Sequence, residues 1–198
     1  MFKLSTLFSR ALLALALVCG TGAAVAGPIY QVTVNTTSLA GSNGYLDFSF
    51  LALGSAAPAF ATLSNFTGAL GADVIPTGDV AGTPPGTVTI GNTTGFNDLL
   101  QGVTFGGLFT FDLSFTADDG IAGSTFSVAL VNGSITDFAG YAGNILDIAL
   151  QPGAPTSVNA VAGFANVNVV PEPSDLPLMV SGLALMGWAT RRKAGAAR

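Results

Sequence analysis

The segment Phe109-Thr110-Phe111-Asp112-Leu113-Ser114-Phe115-Thr116 decides the fold class. Apolar and polar residues alternate through it. In an extended chain Phe109, Phe111, Leu113 and Phe115 therefore share one face, and Thr110, Asp112, Ser114 and Thr116 share the other. A helix would scatter both sets around its circumference, whereas a strand sorts them into a dry face and a wet face. Such a strand needs other dry faces to cover it, and the chain supplies them. Phe126, Val128 and Leu130 repeat the alternation between Gly123 and Asn132-Gly133. Tyr30, Val32 and Val34 form a third set, and Leu46, Phe48 and Phe50, between Ser42-Asn43-Gly44 and Gly54, form a fourth.

Further strands are expected at Ala59 to Phe66, Thr87 to Ile90, Leu146 to Leu150 and Val158 to Val169. Between them lie turn-formers: Ile75-Pro76-Thr77-Gly78, Gly82-Thr83-Pro84-Pro85-Gly86, Asp119-Gly120 and Gln151-Pro152-Gly153. Only Phe96 to Leu100 reads as a short helical turn, and Val167 to Ser174 reads as a linker. About eight short strands broken by frequent turns describe an all-β domain. The expectation is a single β-sandwich of jelly-roll type. Gly27 to Val170 is 144 residues, enough chain to enclose a core.

The charges are distributed unevenly. The six basic residues are Lys3, Arg10, Arg191, Arg192, Lys193 and Arg198, and the chain has no His. From Gly27 to Pro173 there is no cation, while Asp47, Asp73, Asp79, Asp98, Asp112, Asp118, Asp119, Asp137, Asp147 and Glu172 give a charge near −10. A surface without cations cannot neutralise phosphates, which excludes nucleic acid as a partner. Binding of acidic polymers through basic patches is excluded for the same reason. Without His, Lys or Cys in this span, the Ser-His-Asp and Cys-His nucleophile systems, lysine bases, disulfides and the usual zinc sites are also excluded.

Carboxylate chemistry remains, because glycosidases work with acid pairs. Asp118-Asp119-Gly120 is the one adjacent pair, and it reads more simply as an Asp-Gly turn between two strands. Asp118 and Asp119, with Asp98 or Asp137, are the residues that would offer oxygens to calcium, but no Asp-x-Asp-x-Asp loop is present. No cofactor is expected otherwise. Four Asn-x-Ser/Thr triplets begin at Asn35, Asn65, Asn92 and Asn132. They read as turn and wet-face residues rather than glycan acceptors.

The two ends have a different character. Lys3 and Arg10 precede an apolar core from Ala11 to Val18, and Ala24-Val25-Ala26 supplies an Ala-x-Ala cleavage site. Residues 1–26 are thus expected to be a signal peptide with a helical core. The mature start falls near Gly27, and the only cysteine, Cys19, is removed with the signal. At the other end Pro171-Glu172-Pro173 holds the chain extended. An apolar run from Leu176 to Thr190 follows, and then Arg191, Arg192 and Lys193, which resist transfer across a membrane. The run of 15 residues makes about 22 Å of helix against a hydrocarbon core of about 30 Å, which suits a temporary stop better than a permanent anchor.

This three-part tail resembles the PEP-CTERM sorting signal of exopolysaccharide-producing Gram-negative bacteria. Asp175 and Pro177 depart from the small apolar residues usual there. The resemblance implies export through the Sec machinery, a precursor held in the inner membrane by a short C-terminal transmembrane helix, and processing by a membrane exosortase at or near Pro171, Glu172 and Pro173. It implies a final location at the cell surface or in the extracellular matrix, with extracellular polysaccharide as a partner and the membrane only a transient one. The domains are then 1–26, 27–169 and 170–198.

Three function classes compete. The first is a non-enzymatic exported protein of the biofilm or exopolysaccharide matrix, and the residue types favour it. The second is a lectin-like carbohydrate-binding surface module, for which only Tyr30, Tyr45 and Tyr141, besides Phe, supply aromatic rings. The third is a hydrolase working through Asp118 and Asp119.

Overall fold

The computed structural model describes residues 27–52, 54, 56–116, 123–151 and 153–170. These form twelve strands: β1 Ile29–Asn35, β2 Asn43–Ala52, β3 Phe60–Thr67, β4 Leu70–Thr77, β5 Val80–Ala81, β6 Val88–Gly91, β7 Asp98–Thr104, β8 Leu108–Phe115, β9 Ser124–Asn132, β10 Asn144–Leu150, β11 Ser157–Ala160 and β12 Ala165–Val170. Helical structure among the described residues is limited to one 3-10 turn, Thr37–Leu39. The described residues are all-β, with two six-stranded sheets packed as a sandwich. One, sheet A, runs β12-β1-β8-β3-β6-β5, and the other, sheet B, runs β11-β10-β9-β2-β7-β4. Every pairing is antiparallel.

The alternation works as the residues dictate. Phe109, Phe111 and Leu113 of β8 are buried, as are Tyr30, Val32 and Val34 of β1 and Leu46, Phe48 and Phe50 of β2. Aromatic rings bridge the sheets at the centre. Phe48 of β2 meets Phe111 of β8 edge-on at 5.2 Å and Phe66 of β3 at 6.1 Å. Phe126 of β9 joins them, stacked on Phe48 at 6.5 Å and edge-on to Phe115 at 6.2 Å. These are the offset and edge-to-face arrangements that ring quadrupoles prefer. Gly44 marks a close approach. A Cβ there would lie 2.2 Å from the Val131 carbonyl oxygen and 2.4 Å from the Phe105 ring.

Four expectations are corrected. Phe96 to Leu100 is not a helical turn, because Asp98 opens β7 and is held between β2 and β4. Ile75-Pro76-Thr77 is not a turn but the end of β4, an edge strand, where a proline without an N–H is tolerated. Val158 to Val169 is two strands, since a turn at 161–164 carries the chain from sheet B to sheet A. Val167 to Val170 is not linker. It is the body of β12, paired with β1 from Ile29↔Val170 to Val34↔Ala165.

Candidate carboxylate site on the outer face of sheet B

The side chains on β2 that alternate with Phe48 and Phe50 point away from the core. Register aligns them with polar residues from strands distant in sequence. Asn159, Asp147, Ser127, Ser49, Asp98 and Thr77 form one row across all six strands of sheet B. At a strand spacing of about 4.8 Å the row is roughly 24 Å long. Asp47 sits in the next row, between Ala129 of β9 and Leu100 of β7. It is therefore diagonal to Asp98, which opposes Ser49.

The acids of this face differ in their hydrogen bonding. Asp147 Oδ1 accepts from Ser127 Oγ at 2.6 Å and from Asn144 Nδ2 at 2.8 Å. In contrast, Asp47 Oδ1 and Asp98 Oδ1 are shielded from solvent and accept no hydrogen bond. Asp98 is only 5% exposed. Burial, and then the charge of Asp98, pushes the Asp47 carboxyl up to about 6. Burial raises Asp98 as well, against a hydrogen bond from the Thr77 side chain. Among the described residues there is no Lys, Arg or His, so none of them offsets the desolvation of either acid with a positive charge. Each carboxyl is thus harder to ionise than a free one, and Asp47 is harder still while Asp98 is charged. Residues 47 and 98 were not paired by sequence reasoning, and only strand register could have joined them.

The loop beside this site is organised by two asparagines. Asn97, fully buried, donates from Nδ2 to the carbonyls of Thr94 (3.0 Å) and Phe50 (3.3 Å), and its Oδ1 accepts from the Asp79 backbone N–H at 2.9 Å. Asn92 is likewise buried; it accepts from Ala59 N–H at 2.9 Å and donates to Ala57 O at 2.9 Å and Ser124 Oγ at 2.8 Å. The triplet at Asn92 is thus a structural element of the fold. Asn65 donates to Asp112 at 2.8 Å, and Asn35 and Asn132 accept from Thr37 and Thr136.

Most residues expected to act in sorting lie outside the described residues. These are Ala24 and Ala26, Pro171, Glu172 and Pro173, and Arg191, Arg192 and Lys193, together with the signal and tail helices. Asp118 and Asp119 also lie outside them. Of the other acids considered for calcium, Asp98 is at the start of β7, and Asp137 is in the loop after β9, where its carboxylate accepts from Thr136. Among the described residues no three acidic side chains come together in a group able to hold a metal ion. Comparison with known proteins returns no match to a family, a curated protein or a solved structure.

Proposed function

We propose that this chain is a non-enzymatic exported protein, sorted by a PEP-CTERM signal to the cell surface or the polysaccharide matrix. One observation carries the proposal: the order Pro171-Glu172-Pro173, apolar run, Arg191-Arg192-Lys193 in a chain that opens with a signal-like segment. In this account Pro171, Glu172 and Pro173 are substrate residues for an exosortase, and the basic cluster is the cytoplasmic stop. Mass spectrometry of the secreted protein tests the proposal. The expected C-terminus lies near Pro173, and recovery of extracellular chains still ending in Arg198 would refute processing. Replacing Pro171 and Glu172 by Ala together is expected to hold the precursor in the membrane.

The ectodomain is read more finely as a jelly roll. The nested pairing of β1 with β8, β2 with β7 and β3 with β6 supports this, with β12 added beside β1 and β9, β10 and β11 added beside β2.

The outer face of sheet A favours a second reading, a lectin-like surface module. Asn168, Gln31, Asp112 and Ser64 form one row, and Asn166, Thr33, Thr110 and Thr67 form another. This face offers amide and hydroxyl groups that can both donate to and accept from sugar hydroxyls. A glycan array with residues 27–170, repeated with Gln31→Ala and Thr33→Ala, decides. Absence of binding at high protein concentration removes this reading.

A further inference from the structure

The chain enters and leaves the sandwich at one point. Ile29, the first residue of β1, pairs with Val170, the last of β12. The expected mature start, Gly27, and the sorting motif at Pro171 therefore flank the same end of sheet A. That end carries exposed apolar side chains: Ile29 is 43% exposed, Val169 51% and Val170 39%. Phe60 extends the group. It opens β3, two strands from β1, and is tied to the end of β8 by exchanging hydrogen bonds with Thr116. Across four adjacent strands this rim is roughly 15 Å wide.

The opposite end of the sandwich also exposes apolar residues, namely Leu108, Ile135, Phe138 and Tyr141. Exposure alone does not choose between the ends; the chain exits do. Five residues, Pro171 to Asp175, separate β12 from the apolar run that starts at Leu176. Fully extended they span at most about 18 Å. If residues 176–190 lie in a bilayer, the end with Ile29 and Val170 cannot stand far from its surface, whereas the other end can. With no Lys or Arg from Gly27 to Pro173, this contact gains nothing from anionic headgroups. It suits a zwitterionic surface.

We infer that the tail-bearing chain rests on the membrane by this end of sheet A, with Ile29, Phe60, Val169 and Val170 against a zwitterionic lipid surface and Leu108, Ile135, Phe138 and Tyr141 pointing away. The inference rests on reading residues 176–190 as a membrane segment. The partner is lipid, and the surface is the rim that joins β1, β12 and β3.

Single cysteines read this orientation directly, because Cys19 is the chain's only thiol. The chain from Gly27 to Arg198, the tail-bearing form left by the expected signal cleavage and free of Cys19, is reconstituted in phosphatidylcholine vesicles carrying a headgroup quencher. Ile29→Cys and Val169→Cys are compared with Leu108→Cys and Phe138→Cys, each labelled with the same fluorophore. Quenching is expected to be roughly threefold stronger at Ile29 and Val169, since a surface contact brings a label within the interfacial 5–10 Å or so. Equal quenching in chains that float with the vesicles overturns the orientation while leaving the membrane segment intact. Chains that fail to float overturn the membrane segment, and the orientation with it. A long Gly/Ser linker inserted between Val170 and Pro171 is expected to reduce the contrast at least twofold, roughly as a flexible chain of that length dilutes the contact. No reduction overturns the claim that the short spacer holds the domain down.

Discussion

Replacing Asp47 by Asn should stabilise the protein at neutral pH and leave it nearly unchanged in acid. Burial and Asp98 raise the Asp47 carboxyl from 3.8 to about 6 in the folded chain. Between these values the folded state holds a proton that the unfolded state has released, so stability falls as pH rises from about 4 to about 6 and is then level. A shift of about two units corresponds to about 3 kcal/mol if fully retained. Asp47 is only partly buried, and solvent screening leaves about 1–2 kcal/mol. The amide of Asn imitates the protonated acid. Urea unfolding at pH 4, 6 and 7.5 should therefore show the advantage of Asp47→Asn growing from near zero to about 1–2 kcal/mol. A difference independent of pH, or an advantage that appears only in acid, would refute the reasoning. Asp98, raised in the same direction, leaves a residual slope of the same sign in the variant.

Three further outcomes are expected. Phe48→Ala removes the ring that meets Phe111, Phe66 and Phe126, and should cost about 3–5 kcal/mol in denaturant unfolding. Gly44→Ala should abolish folding by circular dichroism, because its Cβ overlaps the Val131 carbonyl, whereas Gly107→Ala meets open space and should shift stability by less than about 0.5 kcal/mol. Asn92→Ala leaves the buried Ala59 N–H without its acceptor and should cost about 2–3 kcal/mol, measured as a lowered thermal midpoint.

Fold class was legible because β1, β2 and β8 each have one dry and one wet face, so period two survives in their residues. It fades in β7, Asp-Leu-Leu-Gln-Gly-Val-Thr, where only Thr104 is exposed. Asp98 and Leu100 on the outer face are as hidden as Leu99 and Val103 on the inner one, and no alternation remains to be read. In β4, Pro76 and Gly71 imitate a turn, and a register shift between Leu70 and Val74 breaks the pattern further. The break after β11 was hidden for the opposite reason, since Val161 and Ala162 are apolar and continue the look of a strand. The carboxylate pair was invisible at this level. Asp47 alone is an ordinary wet-face residue and Asp98 lies where no alternation can be read, and they become neighbours only when β2 lies beside β7. The proposed sorting signal is a matter of a different kind, since such signals are short linear segments and this one is read from Pro171 to Lys193 alone.

The pairing of the first strand with the last also sets an order on folding. β1 finds its inner neighbour when β8 arrives, but its other edge stays open until Ala165 to Val170 has emerged. Contacts between such distant segments form late, because the intervening chain must first be gathered. A chain threading outward from its N-terminus would thus carry an unsealed sheet edge until all but its last 28 residues were clear. An unsealed edge is a template for unwanted strand addition. On the proposed sorting route, a pause that holds the C-terminal residues at the membrane while β12 docks would give the sandwich time to close before release.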